Sequence, residues 1–262
     1  MRVFSSLFVS HGAPNLILHN KPAREFLAGY GTELGRPEAI LVASAHFETE
    51  TPLLTADERP ETIYDFSGFE PELYRMTYPV PGAPDLAERA AGMLSAAGLP
   101  AALARNRGLD HGAWVPLKLL YPEADIPVVE LSVQPHLGAG HHLRVGDALA
   151  PLRRDGVLVI GSGVLTHNLV EYFRGGYTPD SPAPDWVVEF GDWMRARIEA
   201  GARDELAAYR QKAPHAARNH PTEEHLLPLF VALGAAGPHA KGRRVHTSHS
   251  HGVLQMDAYA FE

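Results

Sequence analysis

Five histidines sit where an apolar run gives way to small residues or a turn. They are His11 in SLFVSHGAPN, His46 in ILVASAHFE, His111 in GLDHGAW, His167 in VLVIGSGVLTHNL and His225 in HPTEEHLLPL. Imidazoles at the ends of buried strands, on loops that converge, are the raw material of a metal or acid–base site. The chain has 15 His and no Cys, so a transition-metal site here must be ligated by nitrogen and oxygen. Such a donor set points to zinc, iron(II) or manganese rather than a thiolate centre.

Taken singly, each of these histidines fits a simpler role, capping a strand end with a hydrogen bond. His11, His46 and His167 all follow apolar strands, however, and three together point to a shared site. His225 follows Pro221 and Thr222, which mark a helix start, so it is expected in a first turn where the helix dipole favours neutral imidazole. Glu224 is its neighbour. Adjacent helical residues face different ways, so only one of the pair is expected to enter a site. His111 reads either as a loop histidine in an Asp-containing turn or as a pocket acid or hydrogen-bond donor. Ser162 lies between glycines, but Gly-Ser-Gly lacks the Gly-x-Ser-x-Gly spacing of a nucleophile elbow, which argues against a serine hydrolase. His136 is a further pocket candidate, and His249 and His251 alternate ahead of a final strand. His220 either orients the His225 segment or occupies a turn. His19, His141, His142, His215 and His239 stand in polar or turn contexts and are expected to be solvated.

The elements that must position these groups are legible from apolar patterning. Short continuous runs rich in Val, Ile and Leu predict strands over 7–10, 40–45, 53–55, 101–104, 127–133, 157–161, 245–248 and 253–261. Helical spacing predicts helices over 22–34, 85–97, 113–120, 139–152, 184–200, 204–209 and 222–233. Continuous rather than alternating strands imply burial on both faces. Strand–helix alternation then reads as an α/β domain, its central sheet largely parallel or mixed and flanked by helices. Residues 59–84, rich in Pro, Gly and aromatics, read as a long excursion of the kind that is often functional.

Bulk properties exclude several classes. At 262 residues, with a hydrophobic content of 45%, the chain has ample material for a core. A net charge of −8 argues against a nucleic-acid partner, which needs a surplus of Lys and Arg. No apolar stretch approaches the roughly 20 residues of a membrane span. The first residues carry no extended signal-peptide core, and the expected compartment is the cytoplasm.

Seven segments, in order along the chain, resemble the class III extradiol ring-cleavage dioxygenases, in particular the 4,5-DOPA dioxygenase-type branch. They are SHGAPNL, SAHFET, DFSGFEPELYRMTYPVPGAP, LDHGAWVPLKLLYP, GSGVLTHNL, HPTEEHLLPL and GVLQMDAYAF. The resemblance implies one catalytic domain over 1–262 and a mononuclear metal, iron(II) in ring-cleaving members and zinc in some preparations. It implies His11, His46 and His225 as metal ligands, with Glu224 beside the third position, where related enzymes outside this branch carry a glutamate. It implies His167 as a catalytic histidine, sometimes described as a further ligand, and His111 as a second active-site histidine. The 65–78 excursion would wall the pocket.

Three protein ligands leave open positions on iron(II) for two catechol oxygens and dioxygen. A neutral histidine nearby can accept the second phenolic proton and return it, and His167 is the candidate, with His111 assisting through a hydrogen bond. Ring opening beside the diol gives a semialdehyde acid. The partners implied are a small catechol, DOPA-like, and O2. Two other classes stay open on ligand chemistry: a zinc hydrolase whose metal-bound hydroxide is held by three histidines, and a non-catalytic protein with a closed site of four histidines.

Overall fold

The structure, a computed structural model, describes residues 3–19 and 21–262. In chain order the elements are β1 (Ser6–Ser10), α1 (Pro22–Leu34), β2 (Ala39–Glu48), β3 (Leu53–Thr55), α2 (Pro84–Ala96), β4 (Ala102–Ala104), α3 (His111–Leu120), β5 (Val128–Val133), α4 (Gly138–Leu149) and β6 (Val157–Gly163). There follow α5 (Leu169–Arg174), α6 (Asp185–Ala200), α7 (Arg203–Ala207), α8 (Tyr209–Lys212), α9 (Ala216–Asn219), α10 (Leu227–Ala236), β7 (Gly242–His246), β8 (His249–Ser250), β9 (Leu254–Gln255) and β10 (Ala258–Phe261).

Eight strands form one mixed sheet in the order β4-β3-β5-β2-β6-β1-β10-β7. The middle four, β5, β2, β6 and β1, are parallel. Antiparallel neighbours flank them, β3 on one side and β10 with β7 on the other. The strands follow a period of two into separate cores. Leu7 and Val9 join Ile40, Val42, Leu158 and Ile160 in a cluster with Leu27 of α1 and Trp114 of α3. Phe8, between them, packs on the opposite face with Leu229 and Phe230 of α10. Leu41, Ala43 and Val159 face that same side, against α2 and α4. Both faces are covered by helices, which is why these strands carry no polar alternation. Helix α10 is apolar all round because every residue from Leu227 to Ala235 is buried.

The crossover into β6 sets the site. This strand comes late in the chain yet lies between β1 and β2, so the loops leaving the carboxyl ends of all three strands are neighbours. The His11 amide donates to Gly163 O at 2.8 Å, tying the end of β1 to the end of β6. Ligands in open parallel sheets bind at such an edge.

Several boundaries differ from those read off the sequence. The predicted helix over 222–233 begins only at Leu227, because residues 221–226 form bends and turns. The predicted strand over 245–248 is instead Gly242–His246. It is an outer strand with mostly half-exposed residues, and its only strong apolar signal is Val245. The run over 253–261 divides into β9 and β10, which belong to different sheets. Helix α3 takes in His111 because Asp110 caps it, its side chain accepting from the Ala113 amide. The short helices α5 and α9 left no periodic signal. Residues 59–83 form a connection whose only helical piece is a single 3₁₀ turn at Leu73–Arg75, and Pro84 already opens α2.

Candidate metal centre

All five histidines singled out by their strand-end positions converge. The ligand atoms of His11, His46 and His111 lie within 4.8 Å of one another, and those of His167, Glu224 and His225 form an adjoining group of the same size. The two groups are in contact. His225 lies 4.8 Å from His46 and 5.5 Å from His11 between ring centroids, and it stacks on His167 at 3.6 Å and 12°.

His11 is the most constrained. Its Nδ1 lies 3.0 Å from Ser162 Oγ. The Ser162 hydroxyl donates its single proton to Gly112 O at the start of α3. Ser162 can therefore only accept from His11, so His11 carries its proton on Nδ1 and keeps a lone pair on Nε2. That Nε2 lies 3.1 Å from His46 Nε2. A lone pair facing a second imidazole nitrogen at this distance has room for a bridging proton or a shared cation.

His225 is oriented by its neighbour. Its Nδ1 lies 2.9 Å from Glu224 Oε1, which also accepts from Thr222 Oγ1. A carboxylate there holds the proton on Nδ1 and leaves the Nε2 lone pair free. Because residues 224–226 are a turn and not a helix, Glu224 and His225 both enter the site, against the expectation that only one could. The turn lies directly on β6. Val164 N donates to His225 O at 2.9 Å, and a Cβ on Gly163 would fall 2.0 Å from that same oxygen. Gly161 has an equivalent relation with Pro228 O. The Gly-Ser-Gly run thus serves close chain crossing at both glycines and histidine orientation at the serine.

Asp65, from the long excursion, holds His111. One carboxylate oxygen accepts from the His111 amide at 2.9 Å and the other from Nδ1 at 2.8 Å. Burial works against the Asp65 charge, but the His111 hydrogen bonds and the nearby histidines hold its pKa down at about 2. Phe66 sets its ring edge-on to His111 at 5.7 Å, and Phe66 packs in turn on Trp114 and Tyr74. The excursion thereby covers the His111 side of the histidine cluster.

Burial is the leading cause of the shifted imidazole pKa values, and mutual repulsion among the rings adds to it. His11 and His225 are pushed well below the usual 6.5. His46 and His167 are pushed down to about 4. At neutral pH these four rings are uncharged and their lone pairs are available. A cluster of neutral nitrogens with two carboxylates, Glu224 and Asp65, beside it suits a borderline divalent ion such as iron(II), manganese or zinc.

Other histidines fall outside this cluster. His142 is fully buried, not solvated: its Nδ1 donates to Gly138 O and its Nε2 accepts from the Gln134 amide. His141 is buried against Gln134 Oε1. Both sit on the packed face of α4, and their polar neighbours in sequence conceal it. His19, His215 and His239 are exposed as expected. His136 is exposed near Glu50, away from the pocket. His220 is buried and donates from Nε2 to Leu165 O, clamping the loop after β6 to the segment leading into His225. Asp65 and the orienting role of Ser162 escaped sequence reasoning. Each acts through a contact across at least 46 residues of chain, and no local pattern announces it.

The chain matches the model of the catalytic LigB subunit of aromatic ring-opening dioxygenase over residues 17–261. It is 43% identical to the 4,5-DOPA dioxygenase extradiol of Beta vulgaris, over 98% of this chain and 96% of that protein. The protein of the same name from Escherichia coli K12 is 38% identical over 88% of this chain and 84% of its own length. The crystal structure of an uncharacterized Escherichia coli K12 protein superposes with a TM-score of 0.79 at 32% identity, covering 98% of both chains. No described helix is long and apolar enough to cross a membrane. Of the three readings that ligand chemistry left open, oxygen-dependent ring opening is the one this family carries, with a small aromatic molecule and O2 as its reactants. The chain belongs to the LigB family of aromatic ring-opening dioxygenases and is an extradiol ring-cleaving enzyme.

Proposed function

We propose that the whole chain is one catalytic domain that opens the ring of a catechol, DOPA or a close analogue, with O2. In this reading iron(II) is held by His11, His46 and His225. The observation that carries it is the paired orientation of His11 and His225. Ser162 and Glu224 each take an Nδ1 proton, which leaves two buried Nε2 lone pairs beside His46. The similarity to the plant and bacterial 4,5-DOPA dioxygenases supports the DOPA assignment. Zinc suits the same nitrogens and is the ion expected to compete in isolated protein. The cytoplasm, where iron(II) stays reduced, is the compartment that fits.

When bound, the metal supplies a template for catechol and dioxygen and lowers the pKa of a bound hydroxyl. The remaining work falls to the chain. His167, stacked on His225 and neutral at pH 7, accepts the second phenolic proton. Held near 4, it is a weak base, so it takes that proton only from a hydroxyl already acidified by binding and gives it back readily. His111, with its Nδ1 proton committed to ionised Asp65, keeps an Nε2 lone pair that can accept a hydrogen bond from the substrate. Trp114, Phe66 and Tyr64 shield this end of the pocket from water.

The test is an oxygen-electrode assay on metal-free protein reloaded anaerobically with iron(II) or zinc and then given a catechol panel in air. Uptake with iron(II) alone, in step with the yellow semialdehyde, is expected. Equal silence with both metals across the panel would contradict the proposal.

A further inference from the structure

Beside the histidine cluster lies a cavity of about 790 Å3, within the range of roughly 300–1,000 Å3 common for small-molecule sites. The five clustered histidines do not line it, but Gly12, the residue after His11, does. Gly12 and Ala13, which directly follow His11, place one wall of it next to the end of β1. Met256 closes the floor against Gly12, and Tyr172 of α5, five residues beyond His167, forms a wall. Lys21, Asp180, His249 and His251 are among its polar lining residues.

The charges in this cavity stand apart. Among the described residues neither Lys21 nor Asp180 forms an ion pair, although both line the same space. By contrast, His19 at the rim is already matched by Glu70 at 2.9 Å. His251 is held in place: its ring lies 4.5 Å from that of Tyr172, and Ser250 Oγ meets its Nδ1 at 3.1 Å. Its backbone is left-handed at φ 53°, an unfavourable conformation for a residue with a side chain. The next residue, Gly252, is also left-handed at φ 67°, and a Cβ there would meet Pro182 O at 2.6 Å, so the loop carrying Asp180 packs directly on this turn. Burial, then the charge of Lys21, depresses the His251 pKa, which places Lys21 within electrostatic reach of it.

We infer that this cavity receives the side chain of an amino-acid catechol, with Lys21 and His251 taking its carboxylate and Asp180 its ammonium group. The assignment rests on the ring-cleavage reading above for the position of the catechol ring. A cation and an anion in one cavity, neither ion-paired among the described residues, complement both ends of a zwitterion, whereas a ligand carrying one of its charges engages only one of them. Lys21 and Asp180 are then specificity-determining residues, acting on affinity and selection and not on the chemistry of the ring.

The experiment is calorimetric titration of the full chain, loaded with iron(II) under nitrogen, with three ligands that share one ring: DOPA, dihydroxyphenylpropionate (no ammonium) and dopamine (no carboxylate). Turnover of each in air is followed in parallel. Lys21→Met is expected to weaken DOPA and dihydroxyphenylpropionate by about tenfold, the scale of one charged hydrogen bond, with dopamine spared. Asp180→Asn is expected to weaken DOPA and dopamine, with dihydroxyphenylpropionate spared. Equal loss on all three ligands, no loss on any, or a wild-type protein that binds all three alike would overturn the assignment. The selective binding pattern without any ring opening would leave the tail site standing and sink the ring-cleavage reading. Ring opening with a flat binding pattern would do the reverse.

Discussion

Ser162 Oγ lies 3.0 Å from His11 Nδ1 while donating its own proton to Gly112 O, so one hydroxyl decides which nitrogen of a buried histidine can meet a metal. Replacing Ser162 with Ala removes that decision and leaves a buried carbonyl without its donor. Loss of such an outer partner typically costs about 10–100-fold in metal affinity. A chelator-competition titration of Ser162→Ala should show a loss of that order with the fold intact. An affinity equal to wild type would mean that His11 is not a ligand.

Glu224 and His225 both face the centre, and substitution separates their roles. His225→Ala should strip the metal. Glu224→Gln keeps an acceptor for His225 Nδ1, so it should retain metal with weakened affinity. If Glu224→Gln loses metal as completely as His225→Ala, the carboxylate is itself a ligand.

His167 stacks on His225 at 3.6 Å without a hydrogen bond from its own ring to a described residue. Its replacement by Ala should lower kcat by about a hundredfold or more, the usual scale for a general acid–base group, with metal content retained. Metal loss in this variant would move His167 into the ligand set.

Gly163 admits the His225 turn to the surface of β6, and a Cβ would stand 2.0 Å from His225 O. Gly163→Ala should destabilise the metal-free protein by about 1–3 kcal/mol, as overpacking does, and weaken metal binding as well. Urea unfolding and metal analysis read the two effects separately. Wild-type values in both would contradict the close crossing.

Acid stability should follow histidines far from the centre. Burial holds His142 at about 3 against an ordinary 6.5, so it is neutral when folded and takes up a proton only on unfolding. With more protons bound in the unfolded state, its contribution is fully present above pH 6.5 and is lost as pH falls toward 3. Calorimetric Tm values should decline through that window, and His142→Gln should decline less steeply. Parallel slopes would show that His142 is not buried neutral.

The sequence made the parallel core legible because strands buried on both faces carry unbroken apolar runs, as Ile40–Ala43 and Val157–Ile160 do. It also made the five histidines legible, because strand-end imidazoles share one edge of such a sheet. Geometry that depends on contact across the chain was not legible. Asp65 reaches His111 from 46 residues away, and although DFSGF lies in a stretch expected to be functional, nothing local singles out its carboxylate. The helix expected at Thr222 failed because capping residues describe what a segment can do locally. Here the turn at 221–226 is held against β6 through the His225 carbonyl. Likewise His142 looks solvated beside Gly140 and His141 until α4 packs on α10.

The central claim, that this histidine cluster performs ring opening with both atoms of O2, is tested most directly by product analysis after turnover of DOPA in ¹⁸O-labelled dioxygen. The semialdehyde should be trapped by reduction before it exchanges oxygen with water. Two labelled atoms in the product are predicted. One labelled atom, or none, would contradict the account and indicate a hydroxylating or hydrolytic enzyme.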